Sequence, residues 1–284
     1  MTDGSLPVHR LPPAFAERAR ALAIGDFEPV SPRPSATVVL LRDAVDGSGV
    51  EAYLLRRVVS MAFAAGMHVF PGGSVDPRDA ELPDLAWAGP PPAAWSGQLN
   101  SDDALARALV CAAVRETFEE SGVLLAGRSY TEVVADTRGG SWEDDRQALL
   151  DRSLSMAKLL ERRRLVLRSD LLQAWAHWIT PEAEPRRYDT RFFVAALPAG
   201  QRTRDVGGEA DRVGWLSPAA ALEAQRRGAV GMLPPTAITL TQLLPYADVA
   251  DVLRAAPGRD LRPRMPRIVV DDDGARVVVD EPAS

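Results

Sequence analysis

A chain of 284 residues, 46% hydrophobic and 25% charged, holds enough apolar material for one or two packed domains. Its net charge of −6 and pI near 5.3 argue against a nucleic-acid-binding surface. Cys111 is the only cysteine, which excludes an internal disulfide and a cysteine metal cluster, and no apolar run of about 18 residues suggests a membrane span.

With no signal-peptide pattern and no C-terminal Ser-Lys-Leu, the expected location is cytoplasmic. Residues 1–34 read as an arm with a short helix from Pro13 to Ala23. Ala36–Leu41 and Glu51–Arg57 read as strands joined by the Asp46-Gly47-Ser48-Gly49 turn, hence a hairpin. Ser60 to Gly73 is a short strand running into Gly72-Gly73, where missing side chains permit close approach of backbone to a ligand. Asp76–Asn100, rich in proline and glycine, reads as a long loop. Trp87 and Trp95 argue against its disorder. Two readings stay open, a partly ordered lid that helps select substrate and a surface decoration packed on its own tryptophans.

From Ser101 the pattern is helical, with Ser101 as N-cap, Asp102 and Asp103 in the first turn and Gly122 as the stop. Leu105, Leu109, Ala112, Glu116, Glu119 and Glu120 continue one another along a face, so carboxylates extend an apolar stripe. That placement is locally costly. Like charges four apart cost roughly 0.2–0.5 kcal/mol, and anions in the last helical turns roughly 0.3–1 kcal/mol each. Such a breach of local rules marks a candidate site. Converging carboxylates without lysine suit a hard divalent cation, Mg²⁺ or Mn²⁺. A solvated acidic helix end is the plain alternative.

Trp142 to Arg164 reads as an amphipathic helical region, its three terminal arginines a solvated helix end. Leu171–Thr180, Thr190–Leu197 and Val213–Leu216 read as strands, with helices from Ser217 to Arg227 and from Pro234 to Arg254, the latter broken at Pro245. Val269–Val279 reads as a hairpin in a C-terminal tail, 256–284. Arg56, Arg57 and Arg191 are candidate phosphate contacts, each as readily structural. His68 and His177 read as packed strand residues.

The string Arg115-Glu116-Thr117-Phe118-Glu119-Glu120-Ser121-Gly122-Val123, downstream of Gly72-Gly73, resembles the second half of the Nudix box, Gly-x5-Glu-x7-Arg-Glu-U-x-Glu-Glu-x-Gly-U with U bulky and apolar. Thr117 replaces the first U. Asp79 stands in place of the first Glu, and Arg115 follows it by 36 positions where the pattern has 8, so 28 residues interrupt the box. His68-Val69-Phe70-Pro71-Gly72-Gly73, the Cys111–Leu125 stretch, Gly214-Trp215-Leu216-Ser217-Pro218, His177-Trp178-Ile179-Thr180-Pro181 and Tyr188–Phe193 are similar to a subgroup with an insertion in the box. That subgroup is the coenzyme A and acyl-coenzyme A diphosphatases of the peroxisomal mammalian type.

The resemblance implies an α/β fold, an α/β/α sandwich around a mixed sheet over 35–255, with extra C-terminal helices and a hairpin. It implies metal-dependent hydrolysis of a CoA-like nucleoside diphosphate derivative, with NADH, ADP-ribose or a nucleotide sugar as alternative substrates and a non-catalytic binding protein as a third reading. On this likeness Glu116, Glu119 and Glu120 bind Mg²⁺ or Mn²⁺, and Glu116 also handles the water's proton. Gly72 offers a carbonyl ligand, Arg115 orients Glu119, and Gly73 borders the substrate. Glu209, followed by Asp211, is the candidate for a further metal carboxylate. Asp79, at the displaced Glu position, is left out of the site, because an insertion of this length can carry it away. No nucleic-acid or membrane partner is expected, and a homodimer is compatible with the sequence.

Overall fold

The computed structural model describes residues 10–11, 13–58, 64, 66–204, 210–271 and 274–279. Among these no helix is long and apolar enough to cross a membrane. The chain opens with β1 (Arg10–Leu11) and α1 (Pro13–Ala23), then the antiparallel pair β2 (Arg33–Asp43) and β3 (Val50–Arg57). The short strands β4 (Met67–Val69) and β5 (Gly72–Ser74) follow.

The 76–100 insertion is structured throughout, which corrects the expected loop. Two 3₁₀ turns (Pro77–Glu81 and Asp84–Ala86) lead to β6 (Trp87–Ala88) and α2 (Pro92–Leu99). Its tryptophans are core residues, Trp95 2% exposed and edge-on to Phe193, Trp87 6% exposed. Burial of large aromatics of this kind supplies much of a core's stability.

α3 (Asp103–Ser121) is capped by Asp102, one residue later than expected, whose carboxylate accepts the Leu105 N–H at 2.7 Å. Gly122 ends it in the left-handed region, φ 73°, as its sequence position implied. β7 (Ala126–Gly127), α4 (Gly140–Leu150), α5 (Met156–Arg163) and β8 (Val166–Arg168) come next, β6, β7 and β8 forming a small sheet. The arginines closing α5 are not simply solvated. Arg162 and Arg163 pair with buried Asp145, and Arg163 lies 4.0 Å over the Trp142 ring.

β9 (Gln173–Ile179) and β10 (Tyr188–Ala196) form a hairpin, and β10 runs parallel to β2 along its length. β11 (Ala210–Leu216) pairs with β3 and leads through the Ser217 cap into α6 (Pro218–Arg226). β12 (Gly231–Met232), α7 (Pro234–Leu243), α8 (Val249–Ala255), β13 (Pro263–Arg264), β14 (Arg267–Asp271) and β15 (Gly274–Val278) complete the chain. The C-terminal hairpin adds β1 as its third strand.

Among the described residues the central mixed sheet has nine strands, with β11 and β5 off its main path. Alternation along β2 divides the core. Val38 and Leu40 face α2, α3 and α5, while Val39 and Leu41 face α6, α7 and α8. Helices on both faces of a mixed sheet make the expected α/β/α sandwich. One edge of β2 is shared, with β5 at Ser35–Thr37 and β3 at Leu41–Asp43. A cleft opens beside β5, and the end of α3 reaches it.

Candidate active site

Arg115, Glu116 and Glu119 are all buried, at 9%, 9% and 6% exposure, and Glu120 is partly so. Three carboxylates in the last turns of a helix need compensation, and Arg115 supplies most of it. Its Nη1 donates to Glu116 at 2.8 Å and to Glu119 at 3.3 Å. Glu120 accepts the Gly72 N–H at 2.8 Å. The Glu119 carbonyl, exposed by the end of the helix, accepts from Nη1 of fully buried Arg146 at 2.8 Å. Burial, followed by the charge of Glu116, pushes the Glu119 carboxyl up to about 7.

Asp79 is not carried away by the insertion. It is 2% exposed and holds Arg115 in a two-pronged pair, Nε and Nη2 donating at 3.1 and 3.0 Å. The first turn of the insertion is built for this. Asp76 accepts the Arg78 N–H, and Asp79 returns to accept the Asp76 N–H at 2.9 Å. The Cys111 thiol lies 3.6 Å from Asp79, and burial, then the Asp79 charge, raises it well above the usual thiol range. Arg115 Nη2 also donates to the Ser74 carbonyl at 2.9 Å, tying α3 to β5. Burial opposes the Arg115 charge, but Glu116, Asp79 and Glu119 outweigh it and hold the guanidinium protonated.

The glycine pair has a steric reason. A Cβ on Gly73 would lie 2.6 Å from the Glu116 carboxyl carbon, and one on Gly72 would lie 2.8 Å from the Thr37 Cα. Only glycine lets β5 fit between β2 and the Glu116 carboxylate.

These residues wall a cleft of about 820 Å³. Its lining includes Arg33, Ser35 and Thr37 of β2, Thr190 and Phe192 of β10, and Trp178 of β9. Arg33, Arg57, Arg78, Arg152 and Arg186 line the same cleft, and Pro234 and Val277 reach it from the C-terminal part. A second cavity of about 590 Å³, lined by Arg128, Trp142 and Arg163 among others, contains none of the box carboxylates.

Of the arginines singled out in the sequence, Arg57 reaches the cleft and Arg56, its neighbour on β3, does not line it. Arg191 is turned inward. It is 4% exposed, its Nε and Nη2 donate to the Leu99 carbonyl at 3.2 and 3.1 Å, and it pairs with Asp189. The expected phosphate contact is therefore a brace fastening α2 to β10. Glu209 lies outside the described residues. Arg33, Arg78, Arg152 and Arg186 carry no periodic signal, because Arg33 stands at the very start of β2 and the others in short turns or loops. Only folding brings them together.

Among the described residues no three His, Cys, Asp or Glu side chains stand as a ready metal cage, since Arg115 bridges Glu116 and Glu119 and Gly72 draws off Glu120. The donors nevertheless fit a hard cation. All three are carboxylates at the cleft, each oxygen carrying more lone pairs than its bonds use, and the absent Gly73 side chain keeps Glu116 open.

Residues 92–243 match the family profile described as the NUDT19 Nudix domain. The chain is 26% identical over 265 residues to the acyl-coenzyme A diphosphatase NUDT19 of Xenopus laevis, an alignment spanning 80% of this chain and 69% of that one. It is 28% identical over 251 residues to the Gallus gallus protein of the same name, spanning 74% and 65%. The chain thus spans about two thirds of the length of these relatives. The crystal structure of a NUDIX hydrolase from Alicyclobacillus acidocaldarius is similar at a TM-score of 0.66 and 28% identity, over 79% of this chain and 96% of that one.

Proposed function

The chain belongs to the Nudix hydrolase family, in the branch described as the NUDT19 Nudix domain, and on that premise we propose that it is a metal-dependent diphosphatase of CoA or an acyl-CoA, releasing 3′,5′-ADP and a 4′-phosphopantetheine derivative. One observation carries the reading. Three braced carboxylates stand on the wall of an 820 Å³ cleft that five further arginines line. A cleft of this size suits a large ligand, and this cation distribution suits one with several phosphates. The names of the relatives support the choice of CoA.

In this reading Glu116, Glu119 and Glu120 hold Mg²⁺ or Mn²⁺, and a Gly72 carbonyl adds an oxygen. When bound, the metal neutralises the diphosphate and lowers the pKa of a water. Arg115 keeps Glu116 and Glu119 in place, and Asp79 keeps Arg115 in place, as outer-sphere partners of metal ligands do. Arg33, Arg57, Arg152 and Arg186 bind and orient phosphate oxygens, while Arg78 is held by Asp76 and the Arg152 carbonyl. The test is hydrolysis of CoA, an acyl-CoA, NADH, ADP-ribose and a nucleotide sugar, each with Mg²⁺ and Mn²⁺. The expected result is the highest kcat/KM on a CoA substrate with divalent metal. Preference for ADP-ribose or NADH would overturn the substrate assignment, and undiminished turnover in EDTA would overturn the metal assignment.

A further inference from the structure

The loop between β9 and β10 overhangs the cleft and is fixed at both ends. Thr180 and Tyr188 close it, the Thr180 N–H donating to the Tyr188 carbonyl at 2.9 Å and the Tyr188 N–H to Thr180 Oγ1 at 3.0 Å. Arg18 of α1 donates to the Ala183 carbonyl at 2.7 Å, and Arg187 donates to the Thr180 and Val30 carbonyls at 3.1 and 2.8 Å. Between these two pins Glu184 lines the cleft. Among the described residues its carboxyl has neither a hydrogen bond nor an ion pair. Burial, only partly opposed by the Arg18 charge, pushes it up to about 7.

A half-buried carboxyl without a partner is unfavourable, and a rigid loop that presents one to a cleft holds it for a ligand. A carboxyl so placed takes an N–H donor, of the kind that amides and the amino edge of adenine present.

Resting on the diphosphatase reading, we propose that Glu184 is a specificity residue whose carboxyl accepts an N–H on the part of the substrate beyond the diphosphate. That N–H comes from an amide of a pantetheine-like arm or from the exocyclic amine of the base. The substrate class favoured by this cleft is thus a diphosphate that carries such a donor.

The test is steady-state kinetics of Glu184→Ala and Glu184→Gln, with folding checked by circular dichroism. CoA, a CoA analogue with hypoxanthine for adenine, and ADP-ribose serve as substrates or competing inhibitors. Loss of one hydrogen bond should raise the KM for CoA about 3- to 10-fold in Glu184→Ala, with kcat within about twofold. Glu184→Gln, whose amide oxygen still accepts, should fall between. Unchanged KM or Ki for ADP-ribose identifies the amide as donor. A rise for ADP-ribose, with the hypoxanthine analogue indifferent to the substitution, identifies the base amine. Parental KM for CoA in both folded variants, or a loss confined to kcat, overturns the inference while the diphosphatase reading stands. A parent protein inactive on every diphosphate overturns both.

Discussion

Asp79 and Arg115, 36 positions apart in sequence, face each other across a buried ion pair of 3.0 Å. The pair closes the insertion, for the chain leaves β5, folds a capped turn, traverses β6 and α2, and returns as α3 with the brace intact. Asp79→Asn removes a charge from beneath Arg115 and should lower kcat at least tenfold by loosening Glu116 and Glu119. Asp79→Ala should also cost about 2–4 kcal/mol in urea unfolding, below the full penalty of an orphaned buried ion because Arg115 keeps its glutamate partners. Parental kcat in Asp79→Asn would show that the brace does not serve the chemistry.

Gly73→Ala tests the steric argument. The added methyl meets the Glu116 carboxylate at 2.6 Å, and displacing Glu116 is easier than moving β5, which is paired to β2. The expected outcome is a fall in kcat of tenfold or more with an unchanged far-ultraviolet spectrum. Full activity would mean that Glu116 need not lie against β5.

Divalent metal should stabilise the folded chain by mass action, roughly 2.7 kcal/mol at 100 times its Kd. Millimolar Mg²⁺ or Mn²⁺ should therefore raise Tm, and Glu119→Gln or Glu120→Gln should shrink that shift and abolish metal-dependent turnover. A melting curve indifferent to both metals, with and without a substrate analogue, would refute carboxylate ligation.

Much of this was legible in advance because it depends on local pattern. The stop at Gly122, the β2–β3 hairpin and the Ser217 cap follow from turn and cap chemistry within a few residues. The acid cluster declared itself by breaking a local rule. What stayed hidden depends on distance in sequence. Proline and glycine counts marked 76–100 as a loop, yet Trp95 finds Phe193 and becomes core. Arg191 looked like a phosphate contact because the backbone acceptor that satisfies it, Leu99, lies 92 residues away.

Trp95→Ala separates a structural insertion from a lid. Removing so large a buried ring should cost about 3–5 kcal/mol, measured by denaturant unfolding. In whatever fraction folds, KM for large and small substrates should change alike. A stable variant that has lost only its preference for large substrates would restore the lid.

Glu184 links stability to pH. Its folded pKa of about 7 lies above the value near 4.3 expected for an unfolded chain, so the folded state binds the extra proton. Its contribution is therefore favourable at low pH and is lost as pH rises from about 4.3 through 7. Glu184→Gln cannot ionise. Solvent screening of a partly exposed group reduces the effect, so the variant should gain roughly 1–2 kcal/mol over the parent at pH 8 relative to pH 4 in chemical denaturation. A difference independent of pH would place the carboxyl in water.

The small sheet of β1, β14 and β15 joins Arg10–Leu11 to the Arg267–Val278 hairpin, and Pro266 and Val277 carry its neighbourhood to the wall of the cleft. Anything inserted into this sheet therefore pulls on the wall of the cleft. The Asp46–Gly49 turn stands at the far end of β2 from Arg33, about 30 Å away along an 11-residue strand, with Asp46, Gly47 and Ser48 exposed. A fluorophore, surface linker or inserted tag belongs there, where the β2–β3 hairpin can bear the load without reporting it to the cleft.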